Sequence, residues 1–498
     1  MKKTSFPLIV ILFSILGAIL WVLIIPYNGA NDEFNHYDVA RFIADKGHLP
    51  IFNRDDYTEI KCVRVKLEQF GKLITMPICQ GSYSIFPMPS YLISALFISP
   101  ISEDSQYRYI FARLPGLTYF IVFLALVWKI LKKMFSSNYL QNASFLIIAL
   151  IPQITFINAY VNSDGLSLMA GAFVIYFWVS AATEGLTRKN IIIGSIALGI
   201  LASVKYNYFI LFPATAVFLL FSFFRFGWKR IIVFTATSFS GFLLISGWWF
   251  ARNYVLYGDA LGFSTVKKTF AALAPDYISV ADLGHNFLTV LLITNWNVRS
   301  FESFFALFGW MSIELPSYFY IITALFVLLA LFGWLFHFVD LGFQKKLNKI
   351  IFSRLFPLFA AFLFAIAGVI YLSVWTALHN DFQPQGRYLF PALIPIMIVI
   401  IKGIQYSSKI IRQSERLLVG FFAAWMTILW IFSYLMLVFY YEGIKRDPAL
   451  LQYFQSYNVF FLTLNNNIIP IIIFAGSIAL VVILWKIWKI ILRSDNTS

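Results

Sequence analysis

Residues 7–25 read PLIVILFSILGAILWVLII, and this uncharged run decides the fold. A helix needs about 20 apolar residues to cross a hydrocarbon core roughly 30 Å thick, so the run predicts a membrane-spanning helix. Lys2 and Lys3 precede it and predict a cytoplasmic N-terminus. The run is long for a secretory signal, and residues 28–30, Asn-Gly-Ala, make a poor cleavage site, so we expect a retained first span.

The segment that follows this run is acidic. Residues 28–47 read NGANDEFNHYDVARFIADKG and put two adjacent carboxylates, Asp32 and Glu33, and a histidine, His36, near the point where the membrane should end. An ordinary helix start explains part of this pattern, because Asn31 would cap the helix and the two acids would favour its dipole. The alternative is that the acids carry chemistry.

The composition indicates that the whole chain is a polytopic membrane protein. Of 498 residues, 60% are hydrophobic and only 12% charged, with a mean hydropathy of +0.78. Backbone polar groups have no water to bond in a bilayer, so the spans are predicted to be helices and the fold class all-α. The apolar runs are continuous and do not alternate with period two, which excludes a β-barrel.

The net charge of +15 comes from Lys and Arg in short loops between the apolar runs. This pattern reports membrane orientation, so we expect no nucleic-acid partner. Treating the basic clusters as cytoplasmic predicts about 12 spans, with both termini in the cytoplasm. The predicted spans are residues 7–25, 109–128, 144–160, 166–182, 190–203, 206–224, 231–250, 318–338, 356–375, 388–401, 417–440 and 468–490.

The chain is predicted to form a single membrane domain over residues 1–498, without a separate soluble domain or an internal repeat. Two outer loops are long, residues 26–108 and 251–317. Residues 84–101 are apolar enough to cross, but counting them as a span would move the basic cluster at 129–133 outside. We therefore expect a helix in the outer interface there.

Both cysteines, Cys62 and Cys79, lie in the first outer loop. A disulfide in an oxidising exterior would stabilise the loop by about 3 kcal/mol. Two free thiols fit the sequence equally well, and neither interpretation makes the cysteines catalytic.

Polar side chains gather near the outer ends of the predicted spans. Charge beside a span is costly and tends to be functional. Each also has a structural interpretation, as a helix cap, a snorkelling lysine or an arginine paired with carboxylate or lipid phosphate. The candidates are Asp32, Glu33, His36, Asp164, Lys205, Arg252, Asn253, Asp381 and Arg387.

Taken together, these groups suit transfer chemistry. Moving a group from a polyanionic lipid carrier to a hydroxyl needs a carboxylate to take the acceptor proton and cations to hold the leaving phosphate. His36 is spaced i+3 from Glu33 and i+4 from Asp32, which also suits a metal site on one helix face. A hydrogen-bonded neighbour is the commoner role of such a histidine, and we favour that role.

Several segments together resemble a known family. In order, they are DEFNHYDVARFIADKGHLP, YVNSDGLSL, SVKYNYFILFP, GWWFARNYVLYGDALG, FFALFGWMSIELP and QPQGRYLFPALIP. Over about residues 28–400 this set resembles a large bacterial family of polytopic membrane proteins of unknown function within the GT-C glycosyltransferase superfamily. More distantly, it is similar to protein O-mannosyltransferases and the aminoarabinose transferase of lipid A. The paired prolines common in those relatives appear here as Pro87-Met88-Pro89.

This resemblance implies a GT-C-like bundle with an enlarged first outer loop containing interfacial helices. It implies an acidic motif at Asp32 and Glu33, an acid near the outer end of a later span at Asp164, and donors in which a sugar is carried on polyprenyl phosphate or diphosphate. It places donor-phosphate cations at Lys205, Arg252 and Arg387. It also implies that transfer inverts the anomeric centre. The resemblance leaves open whether a divalent metal is required, because the superfamily contains both metal-dependent and metal-independent enzymes.

The sequence therefore predicts an inverting membrane glycosyltransferase on the outer face of the bacterial cytoplasmic membrane, in cell-envelope polysaccharide or glycoconjugate synthesis. Asp32 or Glu33 would be the base, and Lys205, Arg252 and Arg387 would hold the donor phosphate. Supporting roles fall to His36, Asp164, Asn253 and Asp381. The expected partners are a polyprenyl-phosphate-linked sugar, an acceptor hydroxyl and membrane lipid.

Two alternatives share parts of this pattern. Twelve spans also suit a lipid-linked sugar transporter or flippase, but transporters usually bind near the midplane and contain repeated halves. A polymerase or ligase of surface polysaccharide would use the same chemistry with a different acceptor.

Overall fold

The computed structural model describes residues 5–55, 61–69, 72–80, 83–343, 353–456, 459 and 468–493. Its first elements are α1 (Ser5–Ile24), α2 (Glu33–Lys46), β1 (Lys61–Gln69), β2 (Lys72–Gln80), α3 (Pro89–Ile98), α4 (Arg108–Met134), α5 (Asn138–Ala149) and α6 (Pro152–Ile157).

The middle of the chain begins with α7 (Asp164–Glu184) and α8 (Arg188–Leu201). A 3₁₀ turn (Tyr206–Ile210) leads into α9 (Leu211–Phe221), followed by α10 (Phe223–Phe226), α11 (Trp228–Phe242), a π turn (Leu243–Gly247) and α12 (Trp248–Tyr257). Short elements come next: α13 (Phe263–Leu273), α14 (Phe287–Leu292), α15 (Trp296–Phe305), β3 (Leu307–Phe308) and β4 (Ile313–Glu314).

Long helices dominate the remainder. They are α16 (Ser317–Phe343), α17 (Phe356–His379), a 3₁₀ turn (Gly386–Ala392) that continues into α18 (Leu393–Ile410), α19 (Glu415–Arg446), the shorter α20 (Pro448–Ser456), and α21 (Ile468–Arg493).

The predicted all-helical membrane architecture is confirmed, but the count of 12 spans is not. Among the described residues, nine helices are long and apolar enough to cross a membrane: Ser5–Ile24, Arg108–Met134, Asp164–Glu184, Trp228–Tyr257, Ser317–Gly342, Phe356–His379, Gly386–Ile410, Glu415–Arg446 and Ile469–Leu492. Each coincides with a predicted span.

The other three predicted spans are shorter or broken helices. Residues 144–160 are interrupted where α5 ends at Ala149 and Pro152 starts α6, because proline cannot continue the helix that precedes it. Residues 190–203 form the 14-residue α8. Residues 206–224 begin with a 3₁₀ turn, and the break before them contains Lys205.

The segment between α1 and α4 folds onto the helix bundle. The ten-residue α3 is too short to cross a bilayer and packs against α2 and α4. The antiparallel hairpin of β1 and β2 was not predicted, and its register sets Cys62 opposite Cys79. The side chains of these cysteines lie outside the described residues.

The bundle core is built by α1, α4, α7 and α18 with their neighbours. Helix α1 packs against α4 and α21, α4 against α7, and α16 against α18. The last contact is close because a Cβ at Gly403 would lie only 2.3 Å from the carbonyl oxygen of Ala330. Small residues commonly permit such approaches between membrane helices.

Helix α4 defines two ends of the bundle. Arg113, near its start, contacts the segment after α1, whereas Lys133, in its last turn, forms an ion pair with Glu184 at the end of α7. Twenty residues of α-helix separate the two basic residues by about 30 Å. We call the Arg113 end the acidic-motif end and the Lys133 end the basic end.

Candidate functional site

Glu33 is buried in an ion pair that the sequence did not reveal. Its Oε1 lies 2.7 Å from Arg113 Nε and its Oε2 lies 2.7 Å from Arg113 Nη2, a two-pronged contact in which both side chains are fully buried. The backbone N–H groups of Asn28 and Val161 donate to the same carboxylate. Glu33 therefore joins the end of α1 to the segment before α7.

Arg113 also closes the end of α1. Its guanidinium donates to the carbonyl oxygens of Val22, Ile25 and Pro26 at 2.7–2.9 Å. The last carbonyls of a helix have no partner within the helix, so this buried arginine satisfies them and complements the helix dipole. All five guanidinium donor positions are directed at these oxygens and at Glu33.

Asp32 adopts a different arrangement from its neighbour. It occupies the N-cap position of α2 with a left-handed backbone (φ 63°, ψ 9°), and its side chain makes no capping hydrogen bond. The expectation that Asn31 caps this helix was wrong. The Asp32 carboxylate instead faces Arg387. Arg387 Nη2 lies 3.3 Å from Asp32 Oδ2.

Asp164 joins the same charge cluster from α7. Its Oδ1 lies 3.1 Å from Lys205 Nζ and its Oδ2 lies 3.4 Å from Arg387 Nη1. The structural interpretation of Asp164 as a cap fails because Asn162 Oδ1 accepts from the N–H groups of Asp164 and Gly165. The Asp164 carboxylate is thereby left to the two cations.

The four residues Asp32, Asp164, Lys205 and Arg387 form what we call the charge cluster. Arg387 lies between the two carboxylates, and Asp164 lies between the two cations. Asp164 is 2% exposed and Arg387 6%, whereas Asp32 is 29% exposed and Lys205 21%. Asp32 is therefore the carboxylate of the cluster that is accessible to a ligand.

Backbone packing holds Arg387 in place. The N–H of Gly386 donates to Ser303 Oγ at 2.6 Å, and a Cβ at Gly386 would lie 2.1 Å from the backbone nitrogen of Phe304. The guanidinium Nε donates to Gln385 Oε1. The turn before α18 therefore needs glycine at 386 to bring the arginine to the cluster.

Lys205 is held by the break between α8 and α9. Its backbone N–H donates to Ser167 Oγ at 3.2 Å, which links the break to the first turns of α7. The Tyr388 ring lies 5.6 Å from Lys205 Nζ and 5.7 Å from the Arg387 guanidinium carbon. An aromatic face therefore adjoins both cations.

His36 is fully buried beside the cluster. Its Nδ1 lies 2.7 Å from the Tyr91 hydroxyl, and its ring stacks on Tyr83 with centroids 4.0 Å apart. Its Nε2 has no hydrogen-bond partner in the described part of the chain. Within the described parts of the chain, no three His, Cys, Asp or Glu side chains are grouped closely enough to hold a metal ion.

Three predicted residues make no contact with the charge cluster. Arg252 Nη2 donates to the carbonyl oxygen of Pro50 at 2.6 Å, and its guanidinium lies over Trp249. Asn253 is buried and donates to the carbonyl oxygen of Ile85 at 3.1 Å. The two residues tie α12 to the segment between α1 and α4. Asp381 is exposed and accepts from Gln383 Nε2.

The electrostatics of the cluster keep Asp32 ionised. Burial raises the pKa of Asp32, but the charges of Arg387 and Lys205 outweigh burial and bring that pKa below its ordinary value. Burial lowers the pKa of His36 to about 3, so the imidazole is neutral at physiological pH. Burial also lowers the pKa of the Lys205 ammonium, although Asp164 opposes the shift.

Sequence reasoning missed Arg113, although a signal was present. This arginine falls five residues into the run 109–128 that was predicted to cross the membrane. A charge at such a position usually has a buried partner, and the partner here is Glu33. Tyr91 and Tyr83, which enclose His36, carry no comparable signal because aromatic residues occur throughout the chain.

The fold and site thus define a polytopic helical membrane protein with a charge cluster at one end of its bundle. Residues 81–397 match the family described as "Predicted membrane protein (DUF2142)". The chain belongs to this family, in agreement with the predicted membership of a family of polytopic membrane proteins. No curated protein matches the sequence.

Solved structures with similar folds include those of two proteins. ArnT from Cupriavidus metallidurans, bound to undecaprenyl phosphate, is 11% identical with a TM-score of 0.49, over 87% of this chain and 77% of that one. The archaeal oligosaccharyltransferase AglB from Archaeoglobus fulgidus, in complex with an inhibitory peptide and a dolichol-phosphate, is 12% identical with a TM-score of 0.45. That match covers 93% of this chain and 60% of AglB.

Proposed function

We propose that this protein is an inverting membrane glycosyltransferase that moves a sugar from a polyprenyl phosphate or diphosphate carrier to an acceptor hydroxyl. One observation carries the proposal: Asp32, Asp164, Lys205 and Arg387 come from four distant parts of the chain and meet at one end of the bundle. They supply an accessible carboxylate and two cations, which this transfer requires.

Asp32 is the base in this proposal, and Glu33 has a positioning role. Glu33 already accepts hydrogen bonds from Arg113, Asn28 and Val161 and is fully buried, so it has no access to an acceptor hydroxyl. Asp32 is partly exposed and ionised. Of the two acids that the sequence left as alternatives, we therefore assign Asp32 as the base.

The proposed step is a single displacement at the anomeric carbon. The acceptor hydroxyl gives its proton to the Asp32 carboxylate while its oxygen forms a bond to that carbon. The bond from the same carbon to the phosphate oxygen breaks, and its electron pair leaves with the polyprenyl phosphate. Attack opposite the leaving group inverts the anomeric centre.

Lys205 and Arg387 would neutralise the departing phosphate. Arginine suits this role because its planar guanidinium presents parallel N–H donors to phosphate oxygens. Asp164 contacts both cations and would set the distance between them. Arg252 donates to Pro50 and contacts no cluster residue, so we assign the phosphate to Lys205 and Arg387 alone.

The charge distribution supports an outward-facing site. The ion pair of Lys133 and Glu184 marks the basic end of the bundle, about 30 Å along α4 from Arg113. Basic residues concentrate on the cytoplasmic side of membrane proteins. The charge cluster would therefore face the exterior of the bacterial cytoplasmic membrane, where envelope polysaccharides and glycoconjugates are assembled.

Reconstitution tests this function. Proteoliposomes containing the full chain receive a polyprenyl-phosphate-linked sugar with a radiolabel in the sugar, together with candidate hydroxyl acceptors. We expect release of free polyprenyl phosphate and label bonded to acceptor, neither of which protein-free liposomes or the Asp32→Asn protein would produce. Movement of the intact lipid-linked sugar across the bilayer without cleavage would contradict the proposal and indicate a flippase.

A further inference from the structure

A second polar pocket lies at the basic end of the bundle, away from the charge cluster. It is a cavity of about 410 Å³ between the last turn of α4, the start of α5, the later turns of α18 and the start of α19. Its lining includes Lys132, Lys133 and Lys402. Nothing in the proposed transfer reaction uses this pocket.

The charges of the pocket favour an anion. Three lysines face one carboxylate, Glu415, which already accepts a hydrogen bond from Gln405 Nε2 at 3.0 Å. Glu415 also lies in the first turn of α19, where the helix dipole stabilises it. Lys133 pairs with Glu184, outside the lining.

Two of the lysines remain available for a ligand. Among the described residues, neither Lys132 nor Lys402 has a carboxylate oxygen within the 4.0 Å of an ion pair. Lys402 Nζ lies 4.5 Å from the centroid of the Phe135 ring, which forms an apolar wall of the pocket. Glu415 is the one carboxylate of the described lining and cannot balance all three lysines, so the half-buried Lys402 ammonium against an aromatic face favours an anionic ligand.

The position of the pocket identifies the source of the anion. Lys132 and Lys133 lie in the last turn of α4, a helix long and apolar enough to cross a membrane, and Lys402 lies about two turns before the end of α18, so the pocket is at the depth of lipid headgroups. Basic pockets between membrane helices on the cytoplasmic side recognise anionic headgroups. We propose that this pocket binds the phosphate of an anionic membrane lipid through Lys132 and Lys402.

The test uses the full-length protein in a neutral detergent. Phosphatidylglycerol is titrated in, and the lipid-bound fraction is measured by native mass spectrometry. We expect the Lys132→Gln/Lys402→Gln variant to bind this lipid roughly tenfold more weakly than the wild type, since each lysine near the surface contributes separately. The matched control is Lys486→Gln/Lys489→Gln, which removes two exposed lysines of α21 that do not line the pocket and should bind normally.

A charge-conserving variant separates binding from folding. Lys132→Arg/Lys402→Arg should retain phosphatidylglycerol, and its thermal unfolding midpoint should match that of the wild type. Displacement of the lipid by millimolar inorganic phosphate would support phosphate recognition and identify soluble phosphates as a second source. Equal binding of phosphatidylglycerol by the glutamine variant and the wild type would overturn the proposal, as would equal wild-type binding of zwitterionic phosphatidylethanolamine.

Discussion

Arg387 Nη2 lies 3.3 Å from Asp32 Oδ2, although the two residues are 355 positions apart in the chain. The same guanidinium lies 3.4 Å from Asp164 Oδ2. Arg387 therefore contacts both the proposed base and Asp164, the carboxylate that also accepts from Lys205. A donor phosphate that draws the guanidinium toward itself would weaken the contact with Asp32, which would make that carboxylate more basic in the loaded site.

Removing either partner of the Glu33–Arg113 pair should destabilise the protein. Glu33→Gln leaves a fully buried guanidinium without its counter-charge, and we expect a loss of about 3–5 kcal/mol in the free energy of unfolding. Thermal or denaturant unfolding in detergent measures the change. Arg41→Gln is a suitable control, because Arg41 is 49% exposed in its pair with Asp38 and such pairs contribute about 1 kcal/mol or less. Equal losses in the two variants would contradict the structural role of Glu33.

The two cations of the charge cluster should both be needed for turnover. We expect Lys205→Gln and Arg387→Gln each to lower kcat by about 100-fold, because each removes charge stabilisation of the leaving phosphate. Arg387→Lys should not restore turnover, since lysine cannot contact Asp32, Asp164 and Gln385 together.

Arg252→Gln provides the comparison for these cations. Arg252 donates to the carbonyl oxygen of Pro50 and contacts no member of the charge cluster, so we expect its kcat to fall by less than about fivefold. Steady-state kinetics with a polyprenyl-linked donor measures both groups of variants. A loss in Arg252→Gln as large as that in Arg387→Gln would restore Arg252 to the phosphate site.

The pH dependence of transfer should lack a histidine step. The pKa of Asp32 lies below its ordinary value of 3.8, so the carboxylate needed as a base persists as the pH falls, and activity declines only in strong acid. Burial brings the pKa of His36 to about 3, so its charge does not change near neutrality. We expect kcat/KM to be level from about pH 5 to 7. A fall in kcat/KM centred near pH 6.5 that is present in the wild type and absent in His36→Gln would contradict the neutral state of His36.

The same histidine should make stability depend on pH. An unfolded chain protonates His36 below about pH 6.5, whereas the folded chain protonates it only near pH 3. The unfolded state therefore binds more protons between these values, and the free energy of unfolding should fall as the pH drops from about 6.5 toward 3. Unfolding midpoints in detergent should show a smaller decline for His36→Gln than for the wild type.

Adding one methyl group at Gly386 should disable the site. The new Cβ would lie 2.1 Å from Phe304 N and 2.6 Å from Ser300 O, so the turn that carries Arg387 must move. We expect Gly386→Ala to cost about 1–3 kcal/mol of stability and to lower transfer by more than about tenfold. In Gly342→Ala the new Cβ has no neighbour within 4 Å among the described residues, so this variant should behave as the wild type.

Hydropathy and charge patterns predicted much of the fold. Nine predicted spans coincide with long helices because burial in a bilayer needs continuous apolar sequence, which is visible in the chain itself. The break at Lys205 falls between two predicted spans, residues 190–203 and 206–224. The break at Ala149 and the hairpin of β1 and β2 were not predicted. They depend on local backbone geometry within segments whose apolar content resembles that of their neighbours.

The sequence indicated polar residues near the same ends of the predicted spans, but not which of them would pair. Asp32 and Glu33 are adjacent and chemically alike, yet one contacts Arg387 and the other Arg113. Asp32 has a left-handed backbone and Glu33 begins α2, and this local geometry accompanies their different partners. The order of residues reveals neither this backbone conformation nor the distance of Arg252 from the cluster.

The most direct test of the central claim is the turnover of Asp32→Asn under conditions in which donor binding is measured separately. We predict that sugar transfer falls at least about 100-fold while the affinity for the polyprenyl-linked donor changes by less than about threefold, because asparagine cannot accept the acceptor proton. Asp104→Asn, the same change at an exposed loop position, should leave transfer unchanged. Wild-type turnover in Asp32→Asn would contradict the assignment of Asp32 as the base.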